Sequence, residues 1–389
     1  MRFMCFQWRA FSQDDLEEAL QKKGIELDFF SYQFSGIHND AYFHRNFSSV
    51  LSDGDYDAVI SWNFWPLVAQ VCYELSIPYI AWIYDCPISY EIMPWASYPT
   101  SYLFMFDRAE YEKYAARGIP HLFHQQLAVN TERLDAVTLD EGDNGRFCHD
   151  VTFLGTMYTT VYPKMGGVLT DYERGYLDAV MAVQRDIRSG LIFSEALPDG
   201  FLREMQERLA AEDYVHASNN EDFDDWLITM LAKEQTCRDR ISLLNRMGEI
   251  YPTAYYCYHK YPEIKNAEYA GKLDYREGMF KMFRATKINL NISYRLITKG
   301  IPLRALDIMA AGGFLLSNWQ EELVEHFRPG IDFVFYETED EAVELTGYYL
   351  QHEEERRQIA ENGHKAVKAF DYSVRLGEIL DIVFPENNG

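Results

Sequence analysis

The chain has 389 residues, nearly half of them apolar and 15% aromatic, enough to bury the cores of two ordinary domains without long disordered tracts. A formal net charge of −25, from 61 acidic and 36 basic side chains, repels phosphate backbones and anionic lipid headgroups. That argues against a nucleic-acid partner and against electrostatic docking on a membrane.

Strand and helix alternate along the first third. Strands are predicted at Arg2–Gln7, Ile25–Tyr32, Ala58–Trp62, Tyr79–Tyr84, Tyr102–Phe106 and His121–Gln125. Helices fall between them at Asp14–Lys23, Asp40–Leu51, Trp65–Leu75 and Arg108–Arg117, with Gly24, Pro78 and Gly118 as stop signals. Several strands are continuous apolar runs, as in a parallel sheet covered on both faces. Residues 1–130 therefore read as a doubly wound α/β domain. Met1–Trp8 reads as its first strand rather than a secretory leader, and no apolar run is long enough to span a bilayer. A cytoplasmic location without stable membrane insertion is expected.

Some residues at the strand ends of this domain have chemistry to offer. Asp85, just after the strand Tyr79–Tyr84, reads first as a turn-forming residue before Pro87 and is also a candidate general base for an acceptor hydroxyl. Asp107 reads as a helix N-cap. Trp8, Arg9, Trp62, Asn63 and Trp65 also sit at strand ends, where the aromatic side chains either stack on sugar rings or pack in the core.

A polar stretch, residues 131–149, reads as an interdomain linker, and the strand Asp150–Leu154 opens a second domain over residues 150–375. Residues 172–247 are charged and helical without strand signals, an insertion in that domain. Alternation resumes with strands at Ala254–Tyr258, Ile288–Ile292, Phe314–Ser317 and Asp332–Tyr336. Helices are predicted at Glu277–Arg284, Pro302–Ala311, Glu321–Phe327, Asp340–His352 and Glu353–Phe370, and residues 376–389 form a tail or short helix. Two such halves place a cleft at the C-terminal ends of their strands. Six scattered cysteines and ten histidines show no metal-ligand spacing, so reduced thiols and no bound metal are expected.

The most informative segment is Thr298-Lys299-Gly300-Ile301-Pro302-Leu303-Arg304. Proline suits the start of a helix. Arg304 does not, because a cation in the first turn faces the positive end of the helix dipole, at a cost of a few tenths to ~1 kcal/mol. A bound anion reverses that sign by collecting the guanidinium and the free backbone N–H groups together. Asp307, three residues on, shares the face of Arg304. The residues alone leave two readings open, an anion site or an Arg304–Asp307 surface pair.

The runs Lys287–Ser293 and Gly300–Leu316, with Tyr348–Leu350, Arg356 and Gly363, resemble the C-terminal domain of CgeB-like glycosyltransferases. These belong to the group 1 enzymes of the GT-B superfamily. Phe153–Tyr158 is similar to the opening strand and glycine turn of that domain, and Tyr79–Pro87 with Phe104–Asp107 to the module that often precedes it. The resemblance implies a GT-B fold of two Rossmann-like domains. It also implies that Asp307 stands where related retaining enzymes place a glutamate on the nucleotide ribose; a carboxylate can accept from both hydroxyls of a diol. A second glutamate of those enzymes, eight positions earlier, is replaced here by Lys299.

Donor contacts are then expected from Lys299, Gly300, Ile301, Pro302, Leu303, Arg304 and Asp307. Gly155 and Thr156 follow a strand and precede a helix, which by itself reads as a plain βα connection; the resemblance implies that their backbone N–H groups face the donor diphosphate. Ser293 and Arg295 follow a strand and project towards the cleft, Arg295 reading either as a donor contact or as a solvated loop charge; the loop at Tyr275 either borders the base or only carries Asp274 as a cap of the next helix. The expected activity is transfer of a sugar from a nucleotide-diphosphate sugar, a UDP-sugar first among them, to a glycan, protein or small-molecule hydroxyl. Arg304 would stabilise the leaving diphosphate and no cofactor would be needed. An epimerase or phosphorylase on the same scaffold, or a non-catalytic nucleotide-sugar binder, are the alternatives.

Overall fold

A computed structural model describes residues 1–7, 12–187, 190–211 and 223–385, so Trp8 and Arg9 lie outside the described residues. The chain forms two compact units, Met1–Thr131 with Ala369–Gly389, and Glu132–Lys368. None of the described helices is long and apolar enough to cross a membrane.

The first unit is built on strands β1 (Arg2–Gln7), β2 (Glu26–Ser31), β3 (Ala58–Trp62), β4 (Tyr79–Ile83), β5 (Ser101–Met105) and β6 (Leu122–His124). They pair in the order β2-β1-β3-β4-β5-β6, every pair parallel. All positions of β3 and β4 are buried, which explains their unbroken apolar runs. Alternate residues of β1 feed two cores: Met4 and Phe6 join Phe43, Phe47 and Val68, while Phe3 and Cys5 join Leu16, Leu20 and Trp82.

The second of those cores contains an element from the far end of the sequence. The helix Tyr372–Val383 buries Leu376, Ile379, Leu380 and Val383 against the first unit's sheet and the helix Gln13–Lys22. Asp371 anchors it, accepting from Ser373 N (2.8 Å) on one oxygen and from Thr131 N and Oγ1 (2.9 and 2.7 Å) on the other. The expected boundary at residue 375 thus moves to 368/369, and the short tail is a 12-residue helix of the first unit. A helical apolar stripe shows that a helix must be covered, not which sheet covers it.

The second unit carries β7 (Val151–Leu154), β8 (Thr253–Tyr256), β9 (Glu268–Gly271), β10 (Ile288–Asn291), β11 (Leu315–Asn318) and β12 (Val334–Tyr336). Their order is β12-β11-β10-β7-β8-β9, again all parallel, so the winding reverses between β7 and β10. β9 was not expected; it is a four-residue edge strand with no buried position and no apolar run. The expected linker is not extended either. Its residues form the helices Thr131–Asp135 and Glu141–Phe147, and Arg284 donates to the carbonyls of Leu134 (2.7 Å) and Val137, fixing them to this unit.

The insertion is helical, as expected, with helices Asp171–Arg185, Phe193–Ala196, Asp199–Ala211 and Phe223–Ile250 around Leu177, Met181, Met205, Leu209, Leu227 and Leu231. The 28-residue last helix leaves this core halfway along and puts Leu243, Leu244 and Met247 against Val151 and Leu290 of the sheet. Each fully buried leucine contributes roughly 1.5–3 kcal/mol.

Candidate functional site

The helix Leu303–Ala310 follows β10 beside the switch point of the second sheet. It begins one residue later than expected, with Pro302 as N-cap, and no side chain caps its first turn. Its other end needs two glycines for different reasons. Gly312 has φ +75°, and the N–H groups of Gly312 and Gly313 return to Met309 O and Ile308 O, both at 2.9 Å, closing a Schellman motif. Gly313 instead allows a close approach, since a Cβ there would lie 2.7 Å from Phe283 O and 2.8 Å from Asn289 Nδ2.

In the first turn Arg304 Nη1 donates to Asp307 Oδ2 at 3.2 Å and also contacts Met279 Sδ. The guanidinium carbon lies 5.5 Å from the ring centre of Phe283. Asp307 is 1% exposed whereas Arg304 is 28% exposed, so the cation keeps a face open while the carboxylate is enclosed. The Tyr275 hydroxyl stands 3.5 Å from Asp307 Oδ1, at the outer limit of a hydrogen bond. Its ring packs edge-on against Phe280 at 5.4 Å. Asp274 accepts from Glu277 N (2.9 Å) and Gly278 N (3.2 Å), serving the start of the helix Gly278–Ala285. The fold thus gathers Tyr275, Arg304 and Asp307.

Gly300, Ile301 and Pro302 are buried, Lys299 and Leu303 half-buried. The loop is fixed to the next helix through Glu322 N, which donates to Lys299 O at 3.0 Å. Ser293 is buried at the end of β10; its N–H donates to Asn318 Oδ1 (2.8 Å) and its Oγ accepts from Asn291 Nδ2 (3.1 Å).

Arg295 is placed otherwise than expected. Its Nε pairs with Asp239 Oδ2 at 2.7 Å, and its other nitrogens donate to Ile187 O (3.0 Å) and Arg185 O (3.2 Å). The guanidinium ties the helical insertion to the loop after β10. With Asp239, Arg246, Ser293, Asn318 and Trp319 it borders a cavity of about 410 Å³ at the C-terminal ends of β10 to β12.

Gly155 and Thr156 also differ from expectation. No α-helix starts after β7; a loop leads to a 3₁₀ helix at Tyr162–Gly167, and the next α-helix starts at Asp171. A Cβ on Gly155 would meet the Phe153 ring at 2.7 Å, so packing alone already requires a glycine there. The Thr156 carbonyl accepts from Arg240, which sequence reasoning missed. Arg240 also donates through Nε (3.1 Å) and Nη2 (2.6 Å) to Ile292 O, bridging the loops after β7 and β10 on either side of the switch point. The rings of Phe153 and Tyr158 flank it at 5.2 and 5.0 Å, and burial lowers its pKa from the ordinary arginine value. It sits among the charges of a long helix, with no local signal to single it out.

In the first unit, Asp85 follows β4 and is exposed as a residue. Its Oδ2 accepts from Asn63 Nδ2 at 2.7 Å. Loss of hydration against the surrounding protein raises the carboxyl pKa, and the Asn63 hydrogen bond opposes that rise. Asp107 caps the helix Arg108–Ala115 through Glu110 N at 3.0 Å. Among the described residues no group of three or more His, Cys, Asp or Glu is arranged to hold a metal ion.

Residues 207–381 match a family model described as glycosyl transferase-like. No curated protein matches the sequence. Among solved structures, HepE of Anabaena in complex with UDP and glucose aligns with a TM-score of 0.52 at 9% identity, over 98% of this chain and 99% of that one. Sucrose-phosphate synthase from Thermosynechococcus elongatus gives 0.52 at 11% identity, with 99% of each chain covered. WaaG, a glycosyltransferase involved in lipopolysaccharide biosynthesis, gives 0.51 at 10% identity over 99% of this chain and 100% of that one. The chain has the GT-B fold, two parallel-sheet α/β domains.

Proposed function

We propose that the protein is a glycosyltransferase that moves a sugar from a nucleoside-diphosphate sugar, a UDP-sugar in the first instance, to a hydroxyl acceptor. The observation that carries this reading is the half-exposed Arg304 at an uncapped helix N-terminus, held against the buried Asp307. A diphosphate there meets a guanidinium and backbone N–H groups, the donors that stabilise charge on a leaving diphosphate. Asp307 takes the ribose diol, since a carboxylate can accept from both hydroxyls. HepE in its complexes with UDP and with UDP-glucose supports the choice of uridine for the first trial.

In the reaction the acceptor oxygen forms a bond to the anomeric carbon and the bond from that carbon to the diphosphate breaks. The leaving electron pair goes to the diphosphate, and the acceptor proton to Asp85. Lys299 adds a second cation near the phosphates, while Ser293, Gly155 and Thr156 border the donor. Arg295 borders the donor from the cavity wall after β10; Asp239 and two carbonyls take three of its five N–H groups and hold the guanidinium in place. No metal or other cofactor enters these steps. Within the GT-B enzymes the resemblance of the segment Lys299–Asp307 supports a CgeB-like enzyme acting in the cytoplasm.

The test is thermal unfolding with UDP and a panel of UDP-sugars, followed by mass spectrometry of mixed hydroxyl acceptors. UDP should raise the melting temperature and one sugar should appear on a product. Asp85→Ala should keep the UDP shift and lose the product. No UDP shift and no product with any donor would sink the reading.

A further inference from the structure

Asn63 follows β3 with φ +58°, in the left-handed region that asparagine tolerates better than most residues. Its own N–H donates to Trp82 O (2.9 Å), and its carbonyl accepts from Ser61 Oγ (2.7 Å) and Tyr79 Oη (3.4 Å). Its side-chain Oδ1 accepts from the N–H groups of both Tyr84 and Asp85, at 2.9 Å each. Its Nδ2 donates to Asp85 Oδ2. One side chain therefore holds the backbone that follows β4 and the carboxylate that this backbone carries. Asp85 Oδ1 has no partner among the described residues.

We propose that Asn63 is a positioning residue for proton transfer: its carboxamide fixes the Oδ2 edge of Asp85 and turns Oδ1 towards the acceptor hydroxyl. This rests on Asp85 being the base. As the acceptor O–H bond breaks, the proton goes to Oδ1 and the oxygen's electron pair forms the bond to the anomeric carbon. A neutral amide suits the task. A cation in its place would hold the carboxylate ionised too firmly to accept a proton, and an apolar group would leave it free to rotate. Asp85 acts electrostatically on Tyr90 and Cys86 of the same loop, and Glu110 and Asp107 act on Cys86. Glu110 titrates near neutral pH, about 7, because it is buried. A site-resolved titration is therefore needed to separate Asp85 from Glu110.

The experiment uses the full chain labelled with ¹³Cγ-aspartate, the Asp85 resonance being the one missing from Asp85→Asn. In Asn63→Ala the Asp85 titration should move up by about one pH unit, since a hydrogen bond to the charged form is lost. In Asn63→Asp it should move further, because two carboxylates then adjoin. The Asp variant keeps an acceptor for the Tyr84 and Asp85 N–H groups, so it carries the test if the Ala variant fails to fold. With UDP-glucose and the acceptor found in the product screen, kcat should fall at least tenfold, its acid limb should shift in step with the titration, and KM for UDP-glucose should stay unchanged. An unaltered Asp85 titration in folded Asn63→Asp overturns the proposal while leaving the base in place. Full transfer by Asp85→Asn overturns the base and this proposal together.

Discussion

Arg304 and Asp307 face each other across a single helical turn, 3.2 Å apart, yet only the carboxylate is buried. The cation therefore neutralises Asp307 and keeps an open side, the side that meets the diphosphate in the proposed reaction.

These two roles separate by mutation. Arg304→Ala should remove the UDP-induced rise in melting temperature and also destabilise the free protein by about 1–3 kcal/mol, since it leaves a buried carboxylate short of its partner. Adding Asp307→Asn should recover most of that stability but none of the UDP shift. Thermal unfolding of the unaltered protein and these two variants with and without UDP tests both statements; a UDP shift that survives in Arg304→Ala places the diphosphate elsewhere.

Arg240 makes a different prediction. Arg240→Met keeps the apolar contact with Phe153 but strands the carbonyls of Thr156 and Ile292. Urea unfolding should show a loss of about 1–3 kcal/mol. UDP affinity should fall as well, although Arg240 touches no ligand in this scheme, because the loops it joins are those that flank the donor. Unchanged affinity in a destabilised variant would confine Arg240 to structure.

The paired glycines differ in the kind of cost. Gly312→Ala meets only the left-handed backbone penalty, roughly 1 kcal/mol. Gly313→Ala drives a methyl group into Phe283 O and Asn289 Nδ2, neither of which is a flexible chain end. It should lower the melting temperature more than its neighbour does, and equal effects would contradict the close approach.

Glu110 provides a pH signature. Burial raises its folded pKa from 4.5 to about 7. Between those values the folded protein holds a proton that the unfolded chain has released, so stability falls as pH rises through this window and levels off above it. The contribution is about 3 kcal/mol at most. Glu110→Gln retains an acceptor for Ile88 N and should flatten this part of the stability curve. Urea midpoints from pH 4.5 to 8 would reveal it, and an unchanged slope in the variant would rule Glu110 out as its source.

Much of this was legible in the residues. Apolar runs and stop signals located eleven of the twelve strands, and the misfit of a cation in a first turn drew attention to Arg304. What escaped depends on contacts distant in sequence. β9 has no apolar run because it is an exposed edge. Arg295 and Arg240 look alike as loop and helix charges, and only the fold shows that one meets Asp239 and the other two strand-end carbonyls. Asn63 read as a strand-end residue beside tryptophans, since a left-handed φ and a partner 22 residues away leave no local trace.

The helix Tyr372–Val383 also sets an order of assembly. During synthesis the first six strands emerge early, but one face of their sheet has only the helix Gln13–Lys22 as cover until more than two hundred further residues have been made. Ile60, Trp82 and Phe104 share the core that Tyr372–Val383 closes, and until then they form part of a sticky surface on the nascent chain. A fragment ending at Thr131 should inherit that exposure permanently, whereas one joining residues 1–131 directly to 369–389 has the elements needed to close it.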